Sequence, residues 1–224
     1  RVTALCCVPT MLATLEPDLP LLRFLLVSGE ACPADVIARW FAPGRRVLNA
    51  YGPTETTVTA TWSVLSPGKA ITIGGPLPTY AVIILDPETG EALSEGQPGE
   101  ICIAGIGLSD GYLNRPEQTT KAFIPDYIGL PDNRSGKIYR TGDLGRIASN
   151  NEIEFLGRID TQVKIRGYRI ELDEIEAVAR SVEGVAQAVV QPYDPDGSGV
   201  ELVAYLMPVT PGTKVDVARI DAAL

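Results

Sequence analysis

A single carboxylate set among hydroxyls is the most chemically suggestive feature of this 224-residue chain. The run Asn49-Ala50-Tyr51-Gly52-Pro53-Thr54-Glu55-Thr56-Thr57 ends a strand-like stretch with a Gly-Pro break and surrounds Glu55 with three threonines. Mg²⁺ on a nucleotide is held by one or two carboxylates together with phosphate oxygens, so one Glu beside several hydroxyls meets that requirement. In an open α/β sheet, ligands bind beyond the carboxyl ends of strands, where this loop would sit. The same run reads equally as a threonine-rich turn with Glu55 in solvent. Further on, Tyr139-Arg140-Thr141-Gly142-Asp143-Leu144 places an aspartate just after a strand and a glycine. An ionised carboxylate accepts several hydrogen bonds and suits a ribose diol, although Gly-Asp is also an ordinary hairpin turn. The stretch from Gly157 to Glu171 is denser, with Arg158, Lys164, Arg166 and Arg169 close together; it reads either as a functional basic segment or as a solvated strand. Gly105, Gly107 and Gly111 are spaced GxGxxxG, which is not the dinucleotide fingerprint.

Composition narrows the chemistry. A formal net charge of −9 and a pI near 4.6 argue against nucleic acid, whose binders need clustered basic surface. Phosphates would have to be met locally, by a metal and a few placed cations. The chain has no histidine, which removes imidazole triads, imidazole metal sites and the usual neutral-pH base. Cys6, Cys7, Cys32 and Cys102 form no CxxC pair, so neither zinc nor a redox dithiol is indicated, and free buried thiols are expected. The apolar run Val2–Val8 is far too short for a membrane span, and no signal-peptide pattern follows Arg1. A cytoplasmic protein, seen as an interior piece of a domain, is the expectation.

The elements that must position these residues follow from periodicity. Val2–Val8, Leu21–Val27 and Arg46–Tyr51 read as strands. A helix opened by Pro33 puts Val36, Ile37, Trp40 and Phe41 on one face and ends at Gly44. Strands alternating with helices predict an α/β fold, a parallel sheet with packed helices. From Ile71 to Ile159, short β-rich runs (Tyr80–Leu85, Glu100–Ala104, Lys137–Arg140, Glu152–Leu156) predict an antiparallel, barrel-like subdomain. Beyond Asp160 a strand at Val163–Ile165 comes first. A helix at Asp173–Glu183 follows, carrying Ile175, Val178, Ala179 and Val182. Strands at Val185–Val190 and Leu202–Met207 and a helix from Val215 complete a small α+β unit. The last two strands would be joined by a turn-rich loop at 195–199. The boundaries predicted are 1–159 and 160–224.

Four runs resemble the adenylation domains of nonribosomal peptide synthetases, within the adenylate-forming enzyme superfamily: NAYGPTETT (49–57), GEICIAGIGLSDGYLNRPEQTTKAF (99–123), YRTGDL (139–144) and GRIDTQVKIRGYRIELDEIE (157–176). They occur in the family's order, and the resemblance covers essentially the whole chain. It implies that residues 1–159 are the carboxy-terminal half of a large subdomain and 160–224 a truncated, mobile small one. It also implies ATP-dependent conversion of an amino acid to an aminoacyl adenylate, with transfer to the phosphopantetheine thiol of a peptidyl carrier protein.

By the same similarity Glu55 binds the Mg²⁺ carried by ATP and Thr54 contacts the α-phosphate. Asn49, Tyr51 and Gly52 line the adenine side, with Gly29, Glu30 and Ala31 opposite. Asp143 takes the ribose hydroxyls and Arg158 reaches ribose or phosphate. Asp160 matches the hinge, and Lys164 and Gly167 match positions facing the site when the thiol arrives. Cys6, Leu26, Ser28, Ala50, Val58 and Thr59 match positions lining the side-chain pocket and are small or apolar, so a medium or large side chain, aromatic ones included, is expected, or a basic one if the rest of the wall supplies a carboxylate. The family's phosphate loop would lie before residue 1 and its catalytic lysine after Leu224, so this piece alone is expected to form adenylate poorly. An acyl- or aryl-CoA ligase of the same superfamily is the alternative, and a non-catalytic module retaining the fold is a second; Glu171-Leu172 after Gly-Tyr-Arg-Ile favours the peptide-synthetase branch.

Overall fold

The computed structural model describes residues 1–224 except Asp18, Asp132, Arg166 and 195–199; the side chains of Lys164 and Arg169 are likewise outside the described set. The chain divides into two units, Arg1–Ile159 and Asp160–Leu224.

The first unit begins with β1 (Ala4–Cys7), α1 (Pro9–Thr14), β2 (Phe24–Ser28), α2 (Ala34–Trp40) and β3 (Arg46–Tyr51). The three strands are parallel, with Cys6 beside Leu26 and Ser28 beside Ala50. Side chains alternate across a strand, so Leu25, Val27 and Val47 share the opposite face. They are buried there with Leu12 of α1 and Val36, Ile37 and Trp40 of α2. Phe41 does not join this face as its spacing predicts. The helix stops at Trp40, and Phe41 caps it in extended backbone, largely exposed. Arg45 clamps the layer: its guanidinium donates to the carbonyls of Leu19 (3.0 Å), Leu22 (3.2 Å) and Trp40 (2.7 Å) and lies over the Trp40 ring. Arg45→Ala should therefore cost about 2 kcal/mol, because partly buried carbonyls lose their donor. At this chain length that lowers the melting temperature by roughly 4–8 °C, and an unchanged thermal melt would show that the clamp contributes nothing.

The sheet then departs from the purely parallel arrangement expected. β4 (Thr61–Leu65) runs antiparallel to β3, and β5 (Gly75–Pro76) antiparallel to β4, giving the order β1-β2-β3-β4-β5. The turn joining β3 to β4 is too short for the crossover that a parallel neighbour needs.

A second sheet contains β6 (Tyr80–Leu85), β7 (Gly99–Gly105), β8 (Phe123–Pro125), β9 (Lys137–Ile147) and β10 (Ile153–Arg158), with α3 (Pro116–Ala122) before β8. All its pairings are antiparallel, in the order β10-β9-β7-β6 with β8 on β9. It is an open antiparallel sheet and not a closed barrel. The outer edge of β10 engages the first sheet's connection instead of closing on β6. Ile153 donates its N–H to Gly74 O (2.8 Å), and Ile73 donates to Ile153 O (2.9 Å). Where the two sheets meet, Tyr51 is buried with Ile84, Ile101, Ile103 and Ile153.

The second unit opens with an antiparallel pair, β11 (Val163–Ile165) and β12 (Tyr168–Ile170), followed by α4 (Leu172–Ser181). β13 (Val185–Tyr193) and β14 (Glu201–Pro208) pair antiparallel, and α5 (Val217–Asp221) follows. Ala179 of α4 is buried with Val185, Ala188 and Ile220. Asp173 and Glu174 in the first turn of α4 and Arg180 in its last suit the helix dipole. The loop expected at 195–199 lies outside the described residues. Among the described residues no helix is long and apolar enough to cross a membrane.

Candidate active site

Because β1 to β3 are parallel, the loops leaving β2 and β3 emerge from one edge of the sheet. Tyr51 is the last residue of β3, and its hydroxyl donates to Asp143 Oδ2 at 2.5 Å across 92 positions of sequence. Arg158, on β10 beside Asp143, donates through Nη1 to Asp143 Oδ1 (2.5 Å) and to Thr141 O (3.2 Å). Three residues predicted separately are thus one cluster, with Tyr51 and Asp143 buried and Arg158 partly so. A carboxylate has about four acceptor positions, so Asp143 retains capacity for hydroxyl donors besides Tyr51 and Arg158. Burial is the chief cause pushing the Tyr51 phenol well above its usual pKa, and the neighbouring Asp143 charge adds to it. Tyr51 therefore stays protonated and donating at neutral pH. Its ring lies tilted against Phe155 at 6.4 Å, and Phe155 is 40% exposed, leaving an aromatic surface open beside the cluster.

The threonine-rich run folds as a 3-10 turn over Thr54–Thr56, followed by Thr57 and Val58 in left-handed backbone (φ 55° and 71°). Such angles are rare for β-branched residues, and they persist only where neighbours enforce them. The enforcing contacts come from the second sheet. Ser109 N–H donates to Glu55 O (2.8 Å), Tyr80 Oη to Thr56 O (2.7 Å) and Thr57 Oγ1 to Gly107 O (2.7 Å). Gly52 starts the loop where a Cβ would come within 2.7 Å of Ala60 N, so no larger residue fits. Glu55 is not solvated, as its alternative reading had it. It is 8% exposed, and Oε1 accepts from Tyr112 Oη at 2.6 Å. Thr54 is exposed at the lip of the turn. Tyr112 went unassigned in the sequence although it lies within the matching 99–123 run, because no local pattern ties it to Glu55. Gly107 and Gly111 pack against Tyr80 and Thr119, which explains them without a phosphate loop.

At the neighbouring loop, Gly29, Glu30 and Ala31 follow β2 in a bend. Glu30 Oε2 accepts from Thr10 N (3.1 Å), while Oε1 is buried with no donor among the described residues. Asn49 lies on β3, two residues before Tyr51. It is buried, and its amide donates to Thr72 O (2.8 Å). Of the pocket residues, Cys6, Leu26, Ser28 and Ala50 share the sheet face opposite the helices, whereas Val58 and Thr59 belong to the turn. Cys6 is exposed, which corrects the expectation of uniformly buried thiols; Cys32 is buried and, mainly through that burial, held protonated with a pKa of about 11.

In the second unit Asp160 is the first residue, exposed, and accepts from Gln162 N through Oδ1 (3.2 Å). Lys164 lies on β11 and Gly167 in the turn before β12; the Lys164 side chain lies outside the described residues. Among the described residues there is no group of three or more Cys, Asp or Glu able to hold a metal unaided.

The family model described as AMP-binding enzyme matches residues 1–113. The chain belongs to this family. It is 46% identical over 207 residues to Novobiocin biosynthesis protein H of Streptomyces niveus, covering 92% of this chain and 34% of that protein. It is also 44% identical over 192 residues to Nonribosomal peptide synthetase sirP of Leptosphaeria maculans, covering 85% of this chain and 8% of that protein. The solved structure of holo-PA1221, an NRPS protein containing adenylation and PCP domains, matches with a TM-score of 0.82 and 28% identity, covering 95% of this chain and 38% of that one. The chain is part of an adenylation domain of the nonribosomal peptide synthetase type and has part of the adenylate-forming fold. The chain spans about a third of the length of the Streptomyces relative.

Proposed function

We propose that the adenylation domain carrying this chain activates an amino acid with ATP and passes the aminoacyl group to a carrier-protein phosphopantetheine thiol. The observation that carries this reading is the Tyr51–Asp143–Arg158 cluster beside the Glu55 turn at the strand ends. An amino-acid carboxylate oxygen attacks the α-phosphorus of ATP, the bond from that phosphorus to the bridging oxygen breaks, and pyrophosphate leaves. The thiol sulfur, its proton passing to solvent, then attacks the acyl carbon, the bond from that carbon to the phosphate oxygen breaks, and AMP leaves. Asp143 holds the ribose hydroxyls, Arg158 fixes Asp143 and faces the growing negative charge, and Thr54 donates toward the α-phosphate. Positioning and charge neutralisation carry most phosphoryl-transfer catalysis, so histidine is not needed.

Glu55 fits Mg²⁺. It is one carboxylate held in place by Tyr112 beside several hydroxyls, the arrangement used when phosphates complete the shell. When bound, the ion neutralises charge on the phosphates. The buried acceptor Glu30 Oε1, lacking a donor among the described residues, suits a donor supplied by the nucleotide. Asp160, at the start of the second unit, serves as the hinge for a reorientation that brings Lys164 and Gly167 toward the thiol.

Pyrophosphate exchange by the full-length protein across all amino acids, with loading tested on both a carrier protein and coenzyme A, decides the matter. Exchange with no amino acid, or loading of coenzyme A alone, would overturn the proposal. Within the pocket, Ala50→Trp should shift selection toward smaller side chains. Ala50 is buried beside Ser28 on the shared face, and even one methylene is worth roughly 10–200-fold in discrimination. An unchanged substrate profile would remove Ala50 from the pocket.

A further inference from the structure

Asp143 reaches Tyr51 only because β9 is irregular where it passes β7. The register runs from Glu100 opposite Leu144 to Cys102 opposite Arg140, so Thr141, Gly142 and Asp143 together face Ile101. Such bulges bend a strand, leave amides without ladder partners and re-aim a side chain. Gly142 adopts φ 70°, which a residue with a Cβ would resist.

The orphaned groups are taken up locally. Asp143 N–H donates to Thr141 Oγ1 (3.0 Å), and that hydroxyl donates to Ile101 O (2.7 Å). The Gly142 N–H donates to Glu100 Oε1 (3.0 Å). Glu100 is 3% exposed, and a carboxylate buried to that degree demands a cation. Arg140 supplies it, with Nε at 2.7 Å and Nη2 at 2.6 Å from Oε2, and Nη2 also reaches Pro87 O. Arg140 stands at one end of the bulge and Glu100 grips its middle amide, so the pair fixes the bulge from the side away from Tyr51.

We infer that Glu100, charge-balanced by Arg140, is the positioning residue for Asp143. It holds the bulge that sets where the Asp143 carboxylate stands relative to Tyr51 and Arg158. This rests on the reading of Asp143 as the acceptor of ribose hydroxyls, and the test separates the two.

Pyrophosphate exchange by the full-length protein is measured with ATP, 2′-deoxy-ATP and 3′-deoxy-ATP, and the readout is the preference in kcat/KM for ATP. A contact from a charged acceptor is worth roughly tenfold to a hundredfold, so Asp143→Ala should erase that preference. Glu100→Ala should lower it about tenfold while leaving the KM for the amino acid unchanged. Glu100→Gln, which keeps an acceptor for Gly142 N–H, should recover most of it. Folding is checked by thermal melt. If Glu100→Ala does not fold, the paired variant Glu100→Leu/Arg140→Met takes its place, because replacing both members by apolar groups leaves no buried charge unpaired and still removes the acceptor of Gly142 N–H. An intact preference in the folded variant, with Asp143→Ala having lost it, overturns the inference and leaves the ribose reading standing. Equal losses for ATP, its deoxy analogues and the amino acid mark a merely structural role and overturn it too. A preference that survives Asp143→Ala overturns both.

Discussion

Glu55→Gln in the full-length enzyme should lower the adenylation rate by about a hundredfold to a thousandfold, with little change in amino-acid KM. The substitution is nearly isosteric. An amide oxygen can still accept from Tyr112 Oη, and the backbone contact between Ser109 N and Glu55 O does not involve the side chain. The turn should therefore keep its shape, and what disappears is one negative charge at a buried position. If that charge holds a cation on the phosphates, the loss deepens as Mg²⁺ is lowered and is partly recovered as it is raised. Exchange rates over a Mg²⁺ series, with a thermal melt to confirm folding, give the answer. A variant running near the wild-type rate at low Mg²⁺ would reject the metal assignment.

The second large effect is expected at Asp160, where it should divide the two half-reactions. Proline there sets φ near −65°, restricts Ile159 and removes the carboxylate that accepts from Gln162 N. If the second unit must reorient for transfer, the change falls on the backbone torsions around this residue, since packed elements on either side do not deform gradually. Adenylate formation should survive Asp160→Pro while loading of the carrier thiol falls by about tenfold or more. Pyrophosphate exchange and carrier loading are measured on the same preparation. Equal loss of both points to misfolding, and normal loading removes Asp160 from the mechanism.

The strands at Arg46–Tyr51, Tyr80–Leu85 and Val163–Ile165 could be read residue for residue, because each is rich in apolar or β-branched residues and Gly52, Asp86 and Arg166 follow them. The chemistry of the 49–57 and 139–144 runs was equally legible, since it depends on residue type and on what breaks a strand. Elements with no periodic signal were not. α3 buries none of its side chains and so shows no apolar stripe. The open form of the second sheet rests on where one edge finds a partner. Ile153 pairs with Gly74, a choice made between segments far apart in the chain.

The site divides in the same way. By itself the sequence determined which groups are present: one glutamate among threonines, one aspartate after a glycine, an arginine near the end of the β-rich region, and no histidine. Only the tertiary structure decided that Glu55 is buried under Tyr112, that Asn49 turns to Thr72, and that Tyr51, Asp143 and Arg158 form one cluster. Periodicity speaks for partners three or four residues apart in a helix or two apart in a strand. The Tyr51–Asp143 contact spans 92 residues. It exists because one sheet packs on another and a bulge turns the carboxylate toward the phenol, and neither condition is written in the local order of residues.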